Sequence, residues 1–439
     1  KTSSEEHKSF VTDFHRKLYD EGLVYEKSSP QAYCDNCRQF LPDRFVKGVC
    51  PNCGKNARGD QCEACGSVLE PENLLNAECS ICGTPPEFRP SNHLFLAVTK
   101  LENQLESYIE SHKSWRKNAY ELSKRYISEG LHDRSLTRDL DWGIDVPKDG
   151  FEDKKIYIWA ENVLGYLSVC NTLCQKHGFD FTEFWNSSRQ YYVHGKDNIP
   201  FHTIILPSLL LSRTDTSLKL PDEIISSEHL TLLGKKISTS GNWAVWVKDI
   251  LDRYNPDSIR YFLISNGPQK RDTDFTWREF INSHNGELLG AYGNFVNRSL
   301  VFIQKYFDGE VPEPSNTPNI LKSLSTLYED VGNLIQQGSF KEALDTVFKF
   351  VRDANKYFDE EQPWITVQTN SERCKETLYT CVQIIANLSQ LLNPFLPFSS
   401  EKVRKIFKIE QASWKYIEIP HGFHLQPLDI LFERIEFVF

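Results

Sequence analysis

Eight cysteines between residues 34 and 82 constrain the fold of this 439-residue chain more than any other feature. Two residues between paired thiols allow a tight turn to direct both sulfurs to one tetrahedral Zn²⁺ ion. Gly54, Gly66 and Gly83 each follow a pair directly, where such a turn often needs a positive φ. Eight thiolates predict two closed four-cysteine sites, in which zinc is structural and not catalytic. The four Cys-x-x-Cys pairs are Cys34/Cys37, Cys50/Cys53, Cys62/Cys65 and Cys79/Cys82.

The same spacing leaves two questions about these cysteines open. A disulfide framework is the alternative to metal, although regular spacing in a long chain favours metal in a reducing compartment. Sequential pairing would place neighbouring pairs on one ion, whereas nested pairing would join the inner four cysteines and, separately, the outer four. Spacing alone does not distinguish these arrangements. The other cysteines lie in apolar helical patterns and are predicted to be buried thiols: Cys170, Cys174, Cys374 and Cys381.

The length and the charge of the chain limit the classes of protein to which it can belong. A chain of 439 residues exceeds a single core, so several domains are expected. Its 50 basic and 60 acidic residues give a net charge of −10, which argues against a general electrostatic nucleic-acid binder but permits a local basic surface. No apolar run reaches the roughly 18 residues of a membrane span. We therefore predict no membrane partner and a cytoplasmic location.

The apolar pattern divides the rest of the chain. Residues 3–21 predict a helix that opens with a capping box of Ser3 and Glu6, and residues 101–129 predict further helix. From about residue 151 short apolar strands alternate with helices, which is typical of a parallel sheet. After about residue 276 only helical stripes remain, and they predict a separate helical bundle. The strands are predicted at 156–159, 190–193 and 223–226, and their helices at 160–174 and 201–211.

Two polar segments follow strands of this predicted sheet, where ligands bind in such folds. The first is His194-Gly-Lys-Asp-Asn198, and the second contains Lys236-Ile-Ser-Thr-Ser240 after Gly234. The second segment could place one ammonium and several hydrogen-bond donors around a polyphosphate. A solvated Lys–Ser loop is the alternative interpretation of that segment.

A resemblance to a known family rests on six segments in a fixed order. The order of these segments, from Lys1 to about residue 410, resembles that of a methionyl-tRNA synthetase, a class I aminoacyl-tRNA ligase. The resemblance implies an α/β fold: a Rossmann-like catalytic domain with an inserted zinc-knuckle domain, followed by an α-helical anticodon-binding bundle. It also implies ATP- and Mg²⁺-dependent formation of methionyl-adenylate and transfer of methionine to the 3′ end of tRNA. The segments are the cysteine block, Ser135-Leu-Thr-Arg-Asp-Leu-Asp-Trp-Gly143, Trp159 to Tyr166, His194 to Asn198, Lys236 to Ser240 and Asn294-Phe-Val-Asn-Arg298.

The same resemblance implies domain boundaries and a zinc pairing. Family members with a single zinc keep positions like Cys50, Cys53, Cys62 and Cys65, so the resemblance implies nested pairing. The second zinc would then take Cys34, Cys37, Cys79 and Cys82. The implied ranges are 1–29 for the end of the first half of the catalytic domain, 30–92 for the zinc knuckles, 93–150 for the return to the catalytic domain, 151–252 for its second half, 253–275 for a linker that contacts the tRNA stem and 276–439 for the anticodon-binding domain.

The resemblance also implies the residues of the active site. Arg138 would lie beside the adenylate, and Lys236 would stabilise the transition-state triphosphate together with Ser238 and Ser240. Lys235, Lys236, Gly195 and Asp145 would contact ATP. An aromatic methionine pocket would suit a polarisable thioether. That pocket would consist of Trp159, Asn162, Val163, Tyr166, Asp197, Asn198, Phe201 and His202.

The chain departs from the family pattern at several positions. The family loop is Lys-Met-Ser-Lys-Ser, whereas this chain has Ile237 and Thr239, and Lys235 would replace the missing cation only in part. Leu206 stands where the family usually has tryptophan, and Asn162-Val163 stands where many members have Ala-Pro. The family's His-Ile-Gly-His-like motif would lie upstream of Lys1. We therefore expect the chain from Lys1 alone not to activate methionine.

Three residues of the helical region are implied to bind the anticodon. Asn294 and Arg298 are four residues apart and share a helix face, and Trp364 follows Glu361-Gln-Pro363. The resemblance implies that they read the CAU anticodon of tRNA(Met), with Trp364 as a stacking platform. One alternative is a paralogue that binds tRNA without aminoacylation, and another is a zinc scaffold without any tRNA role.

Overall fold

The chain divides into two units, Lys1–Ser227 and Glu228–Phe439. The structure is a computed structural model that describes residues 1–62, 64–239, 241–316, 318–427 and 429–436. The division falls inside the predicted range 151–252, so the Lys236 loop belongs to the second unit. Among the described residues, no helix combines the length and the apolar character that crossing a membrane requires.

The first unit mixes helices with short sheets. Its helices are α1 (Glu5–Asp20), α2 (Glu102–Ser111), α3 (Lys117–Glu129), α4 (Ile158–Asn162), α5 (Gly165–His177), α6 (Phe181–Ser187) and α7 (Leu206–Leu211). Its strands are β1 (Val24–Cys34), β2 (Gln39–Phe40), β3 (Val46–Val49), β4 (Asn56–Arg58), β5 (Leu75–Cys79), β6 (Glu87–Leu96), β7 (Arg134–Ser135), β8 (Thr137–Arg138), β9 (Lys155–Ile156), β10 (Tyr191–Gly195) and β11 (Glu223–Ser227).

Helix α1 begins one residue later than the capping pattern predicts. Ser4 is extended, with φ −80° and ψ 152°, and its hydroxyl accepts a hydrogen bond from the backbone N–H of His7 at 3.3 Å. The predicted cap at Ser3 is therefore wrong by one residue, because two adjacent serines satisfy the same sequence rule. The buried face of the helix packs in the first core through Val11, Phe14 and Leu18.

A long antiparallel ribbon of β1 and β6 carries the cysteine-rich segment. Its register runs from Val24 opposite Leu96 to Tyr33 opposite Glu87, and β2 and β7 extend it in the order β2-β1-β6-β7. The inner end of β6 is buried in the first core, whereas β1 ends at Cys34. Between the two strands, β4-β3-β5 form a small sheet of their own. The ribbon therefore connects the zinc-knuckle insertion to the rest of the unit.

Strands β10 and β11 are parallel, which confirms the parallel pairing predicted for them. The strand predicted at 156–159 is wrong beyond Ile156. Strand β9 pairs antiparallel with β8, which is only two residues long, and the N–H groups of Ala160 and Glu161 then bond the carbonyl of Tyr157. Trp159 therefore lies on helix α4. The helix predicted at 201–211 consists of a π-helix, Phe201–Ile205, followed by α7.

The second unit is mainly helical. Its helices are α8 (Val247–Leu251), α9 (Pro256–Ser265), α10 (Trp277–Ser283), α11 (Asn294–Tyr306), α12 (Asn319–Gln336), α13 (Phe340–Glu361), α14 (Pro363–Thr369), α15 (Ser371–Leu391) and α16 (Pro397–Ile406), with a π-helix at His284–Gly293. Its strands are β12 (Leu230–Leu232), β13 (Lys235–Lys236) and β14 (Thr273–Phe275).

Helix α15 occupies the centre of the predicted bundle and is buried from Thr377 to Leu391. Its polar side chains are hydrogen-bonded, as burial requires. The amide of Asn387 donates to the carbonyls of Gln383 and Ile417, and its oxygen accepts from Tyr328 at 2.8 Å and from the N–H of Ile417 at 2.9 Å. The helix thus fixes both its neighbours and the segment that follows α16.

Candidate active site, metal sites and anticodon-binding surface

The structure brings the eight cysteines of the insertion into two groups of four. The sulfur atoms within each group lie within 4.8 Å of one another. The Sγ···Sγ separations include 3.5 and 3.9 Å in the outer group and 3.6 and 3.8 Å in the inner group. A disulfide needs about 2.05 Å, so the thiols are not bonded. The outer group is Cys34, Cys37, Cys79 and Cys82, and the inner group is Cys50, Cys53, Cys62 and Cys65, which is the nested arrangement.

These separations fit a metal ion. With Zn–S bonds of about 2.3 Å, a regular tetrahedron places its sulfurs about 3.8 Å apart. Backbone hydrogen bonds close the turns that carry the cysteines. The N–H groups of Gly54, Gly66 and Gly83 each donate to the carbonyl of the first cysteine of the preceding pair. Those three glycines have φ between 70° and 78°, as the spacing predicted, and Arg38 takes the corresponding position after the first pair with φ 54°.

The candidate methionine pocket is aromatic. The rings of Trp159 and Phe201 stack with centroids 3.8 Å apart and an interplanar angle of 10°. Tyr166 lies edge-on to Tyr192 at 5.0 Å, and the Tyr166 hydroxyl is 2.8 Å from Nε2 of His202. The structure therefore brings four predicted pocket residues together on α4, α5 and the π-helix at Phe201–Ile205. Tyr192, on β10, contacts Tyr166 in this candidate pocket, and the sequence analysis did not predict it as a pocket residue.

Hydrogen bonds fix the proton on His202. Its Nδ1 lies 2.8 Å from the carbonyl of Asn198, which can only accept, so Nδ1 carries the hydrogen. Nε2 is then an acceptor, and the Tyr166 hydroxyl donates to it. Burial, with a smaller effect of His194, lowers the pKa of His202 to about 4. The imidazole is therefore neutral at physiological pH.

The other predicted pocket residues lie at the end of α4 and in the turn that follows β10. Asp197 and Asn198 form a short helical turn directly after β10, at the carboxyl end of a parallel strand. Asn162 is exposed at the end of α4, and Val163 is buried behind it. Gly195 is exposed at the last position of β10.

A buried carboxylate supports the pocket helix. Glu161 on α4 is 6% exposed, and its Oε1 lies 3.7 Å from Nε2 of His7. His7 bonds the hydroxyl of Ser168 through Nδ1 at 2.8 Å, whereas its Nε2 has no hydrogen-bond partner. Burial raises the pKa of Glu161 to about 6. The sequence analysis did not predict a role for Glu161. Its position as a charged residue within an apolar segment could have indicated one.

Arg138, which the resemblance places beside the adenylate, forms a buried ion pair in this structure. Its Nε and Nη2 donate to the two oxygens of Asp43 at 3.1 and 2.7 Å. Nη1 donates to the carbonyls of Thr137 and Ser135, and the guanidinium lies 4.0 Å from the ring centroid of Tyr157. Arg138 and Asp43 are both buried. Arg138 therefore joins the zinc-knuckle insertion to the segment that leads into α4.

Asp145 lies at the surface of the first unit. Its carboxylate pairs with the ammonium of Lys155, and its side chain is 78% exposed. It therefore remains accessible to a ligand in the described structure.

The Lys236 loop forms a hairpin in the second unit. Strands β12 and β13 are joined by Leu233 and Gly234, with φ of 51° and 74°, as a two-residue hairpin turn requires. Lys235 and Lys236 are exposed, and the Lys235 ammonium lies 4.8 Å from the ring centroid of Trp243. Ser238 pairs with Trp243 across the loop. Ser240, which the resemblance included in the catalytic loop, lies outside the described residues.

The predicted anticodon residues lie close together at the junction of three helices. Arg298 on α11 donates to Asp359 at 2.7 Å and lies 4.6 and 5.9 Å from the ring centroids of Phe358 and Trp364. Trp364 is 43% exposed on α14, and Asn294 is exposed one turn before Arg298. An accessible indole beside an immobilised guanidinium can stack a base and hydrogen-bond its edge.

Comparisons with known proteins agree with this architecture. The family model described as tRNA synthetases class I (M) matches residues 1–300, and the model of the anticodon-binding domain of tRNA ligase matches residues 318–425. The fold is that of a methionyl-tRNA synthetase from Mycobacterium tuberculosis bound by methionyl-adenylate, with a TM-score of 0.79 and 21% identity over 98% of this chain and 82% of that one.

Curated relatives identify the family within the class I tRNA synthetases. Methionine–tRNA ligase 1 of Alkaliphilus oremlandii is 49% identical over 438 residues, which cover 99% of this chain and 81% of the relative. The methionine–tRNA ligase of Bacillus cereus strain G9842 is 50% identical over 99% of this chain and 80% of the relative. The chain belongs to the methionine–tRNA ligase family of class I tRNA synthetases.

Metal analysis of a single variant tests the two four-cysteine groups. Replacement of Cys62 by serine (Cys62→Ser) removes one thiolate of the inner group, so the metal content should fall from two zinc ions per chain to one. Elemental analysis of the purified protein measures this content. Cys174→Ser, which alters a buried thiol outside both groups, should keep two. A content of two in Cys62→Ser would refute the assignment.

The pH dependence of unfolding tests the state of His202. An unfolded histidine has a pKa near 6.5, whereas the folded side chain has a pKa of about 4. The unfolded state therefore binds more protons between these values, and stability present above about pH 6.5 is lost as the pH falls, by up to about 1.4 kcal/mol per unit.

His202→Gln, which cannot titrate in this range, should remove part of this slope. Chemical unfolding of both proteins at about pH 7 and about pH 5.5 measures the difference. Equal slopes in the two proteins would show that His202 titrates normally.

Proposed function

We propose that this chain works in the methionine–tRNA ligase reaction, in which methionine is activated with ATP to methionyl-adenylate and the methionyl group is transferred to the 3′ end of tRNA(Met). The observation that carries the proposal is the neutral aromatic pocket around His202. Family membership favours this reaction over the two alternatives, a tRNA-binding paralogue and a zinc scaffold. Because ATP and tRNA are cytoplasmic, we propose that the protein works there.

The pocket is suited to a thioether. Stacked Trp159 and Phe201 offer ring surfaces to a polarisable sulfur. His202 is neutral, and the proton of the Tyr166 hydroxyl is engaged by Nε2. The wall therefore presents no charge to the side chain, which disfavours lysine, arginine and the acidic residues because their charges would be desolvated without a partner. Asp197, in the turn that follows β10, is our choice to bind the substrate ammonium.

Lys236 is our choice for the cation that stabilises the triphosphate during adenylate formation. It is exposed on the second strand of the hairpin, next to Lys235. Mg²⁺ bound with ATP would supply further positive charge on the phosphates. Thr239 provides no ammonium in place of the second lysine of the family loop. Lys235 and the metal must therefore neutralise the phosphate charge that this lysine neutralises in other family members.

Arg138 and Asp43 are proposed as positioning residues. The two-point ion pair fixes the insertion against Tyr157, and Tyr157 precedes the helix that carries Trp159. Arg138 would thus assist activation by holding the pocket, and it would have to leave Asp43 to contact the adenylate directly. Zinc would hold the cysteine turns and take no part in the chemistry.

ATP–pyrophosphate exchange with methionine tests the reaction, on protein expressed from the complete reading frame. Lys236→Ala should reduce methionine-dependent exchange by about 100-fold or more, the range found when one preorganised donor to a developing charge is removed. The control is Lys248→Ala, which alters a lysine of α8 in the same unit. Exchange that survives Lys236→Ala would contradict the assigned role. No exchange, with tRNA binding intact, would establish the tRNA-binding paralogue instead.

Binding of tRNA with a CAU or a changed anticodon tests the surface at Trp364. Loss of one stacked base costs about 1–3 kcal/mol, so Trp364→Ala should weaken binding of the CAU tRNA by about fivefold to 150-fold and abolish its preference. Tyr306→Ala is the control, because Tyr306 on α11 is similarly exposed, at 42% against 43%. An unchanged preference in Trp364→Ala would refute the anticodon assignment.

A further inference from the structure

A hairpin turn in the second unit leads into the strand that carries Lys236. The turn consists of Leu233 and Gly234, and β13 follows it directly. Leu233 has a φ of 51° and is 49% exposed. Leucine rarely takes this backbone conformation, because its Cβ crowds the following carbonyl oxygen. An exposed side chain gains little packing to offset that strain, so other contacts must stabilise the turn.

The carboxylate of Asp274 supplies such contacts. Its Oδ1 accepts a hydrogen bond from the backbone N–H of Gly234 at 2.8 Å. The hydroxyl of Thr231, on β12, donates to the same oxygen at 2.5 Å. Hydrogen bonds to an ionised acceptor are stronger than those between neutral groups. One carboxylate oxygen therefore links the strand before the turn to the turn itself.

Strand β14 gives Asp274 a fixed position. Strands β12 and β14 pair in parallel, with Thr231 opposite Asp274 and Leu232 opposite Phe275. Phe275 and Leu232 are both buried in one small core of the second unit, and the carbonyl of Phe275 accepts from the N–H of Leu233 at 3.1 Å. Successive side chains of a strand point to opposite faces. The side chain of Asp274 therefore points away from this core, on the face where it contacts the turn.

A second set of contacts fixes the other end of the loop. Trp243 exchanges two backbone hydrogen bonds with Ser238, each of 2.9 Å, and its Nε1 donates to the carbonyl of Leu232 at 3.0 Å. The ring of Trp243 also lies 4.8 Å from the ammonium of Lys235. The segment is thus bound to the hairpin after its lysines by Trp243 and before them by Asp274.

We propose that Asp274 is a positioning residue for adenylate formation, because it fixes the turn that places Lys236 beside the triphosphate of ATP. This inference rests on the proposed function, in which Lys236 stabilises the charge that develops on the phosphates. A cation assists such a step only where it is held close to the developing charge, and a displacement of about 1 Å can cost about 100-fold in rate. Asp274 acts through Lys236, since a carboxylate in contact with the phosphates would repel them.

Limited digestion with trypsin tests the effect of Asp274 on the turn and does not depend on activity. Asp274→Ala removes the acceptor for the N–H of Gly234, so the segment should open more often. Cleavage after Lys235 and Lys236 should become about tenfold faster or more, the effect of one lost hydrogen bond to a charged group. Cleavage after Lys415, which is exposed outside the helices of the same unit, is the internal reference. Unchanged relative rates would overturn the proposal.

ATP–pyrophosphate exchange with methionine, on protein expressed from the complete reading frame, tests the link to Lys236. Asp274→Ala should reduce exchange by about tenfold to 100-fold. Added to Lys236→Ala, it should cause little further loss, because the effects of residues that act through one group are not additive. A merely structural role would multiply the two losses, and that result would overturn the proposal.

Three further variants complete the test. Asp274→Asn keeps an oxygen acceptor at the same place and should restore most of the exchange and of the resistance to trypsin. Asp272→Ala removes a neighbouring carboxylate that accepts from the N–H of His229 at 2.8 Å, before β12, and should leave both measurements unchanged. Thermal unfolding establishes whether each variant folds. Should Asp274→Ala not fold, Asp274→Glu replaces it, because it keeps the charge but displaces the carboxylate by one methylene.

The two measurements separate this inference from the proposed function. An unaltered protein without exchange would refute the proposed function and, with it, the role of Asp274 in catalysis. The tryptic pattern would still establish whether Asp274 fixes the turn. Normal exchange in an Asp274→Ala protein that trypsin cleaves faster would refute the positioning role alone.

Discussion

The sulfurs of each four-cysteine group lie within 4.8 Å of one another, in a part of the chain that has few apolar contacts of its own. The small core of the insertion contains Cys34, Cys50, Cys62 and Cys79, and its other fully buried members are Ala32, Leu41, Val46, Ala57, Leu69 and Leu74. A cluster of this size buries too little apolar surface to offset the entropy of some sixty ordered residues. Zinc bound by the two groups would supply the difference.

The insertion affects the pocket through one buried ion pair. Asp43 follows β2 in the insertion, and Arg138 lies on β8, directly opposite β9 and Tyr157. Buried charges are costly to separate, because removal of one partner leaves the other uncompensated. The pair therefore favours one arrangement of insertion and pocket over alternatives in which either group is left alone.

The sequence predicted the features that depend on regular spacing. Two-residue gaps between cysteines indicated the zinc turns, and alternating strands and helices indicated the parallel pairing of β10 with β11. The sequence did not predict the features that depend on contacts between distant parts of the chain. Nothing near Arg138 indicates that Asp43, 95 positions earlier, takes up its guanidinium. Likewise the apolar run at Ile156–Trp159 looks like a strand, but β8 offers only two residues to pair with, so the chain turns into a helix at Ile158.

Burial determines the chemistry of the pocket through protonation. His202 is 3% exposed, and Asn198 fixes its single hydrogen on Nδ1, so its Nε2 remains an acceptor for Tyr166. A charged imidazolium there would donate from both nitrogens and would compete with the tyrosine hydroxyl for its orientation. Burial acts in the opposite direction on the pKa of Glu161, on α4, which it raises to about 6 beside His7. The neutral imidazole of His202 and the stacked ring of Trp159 can therefore favour an uncharged, polarisable side chain, whereas Glu161, with a pKa of about 6, is mostly ionised at physiological pH.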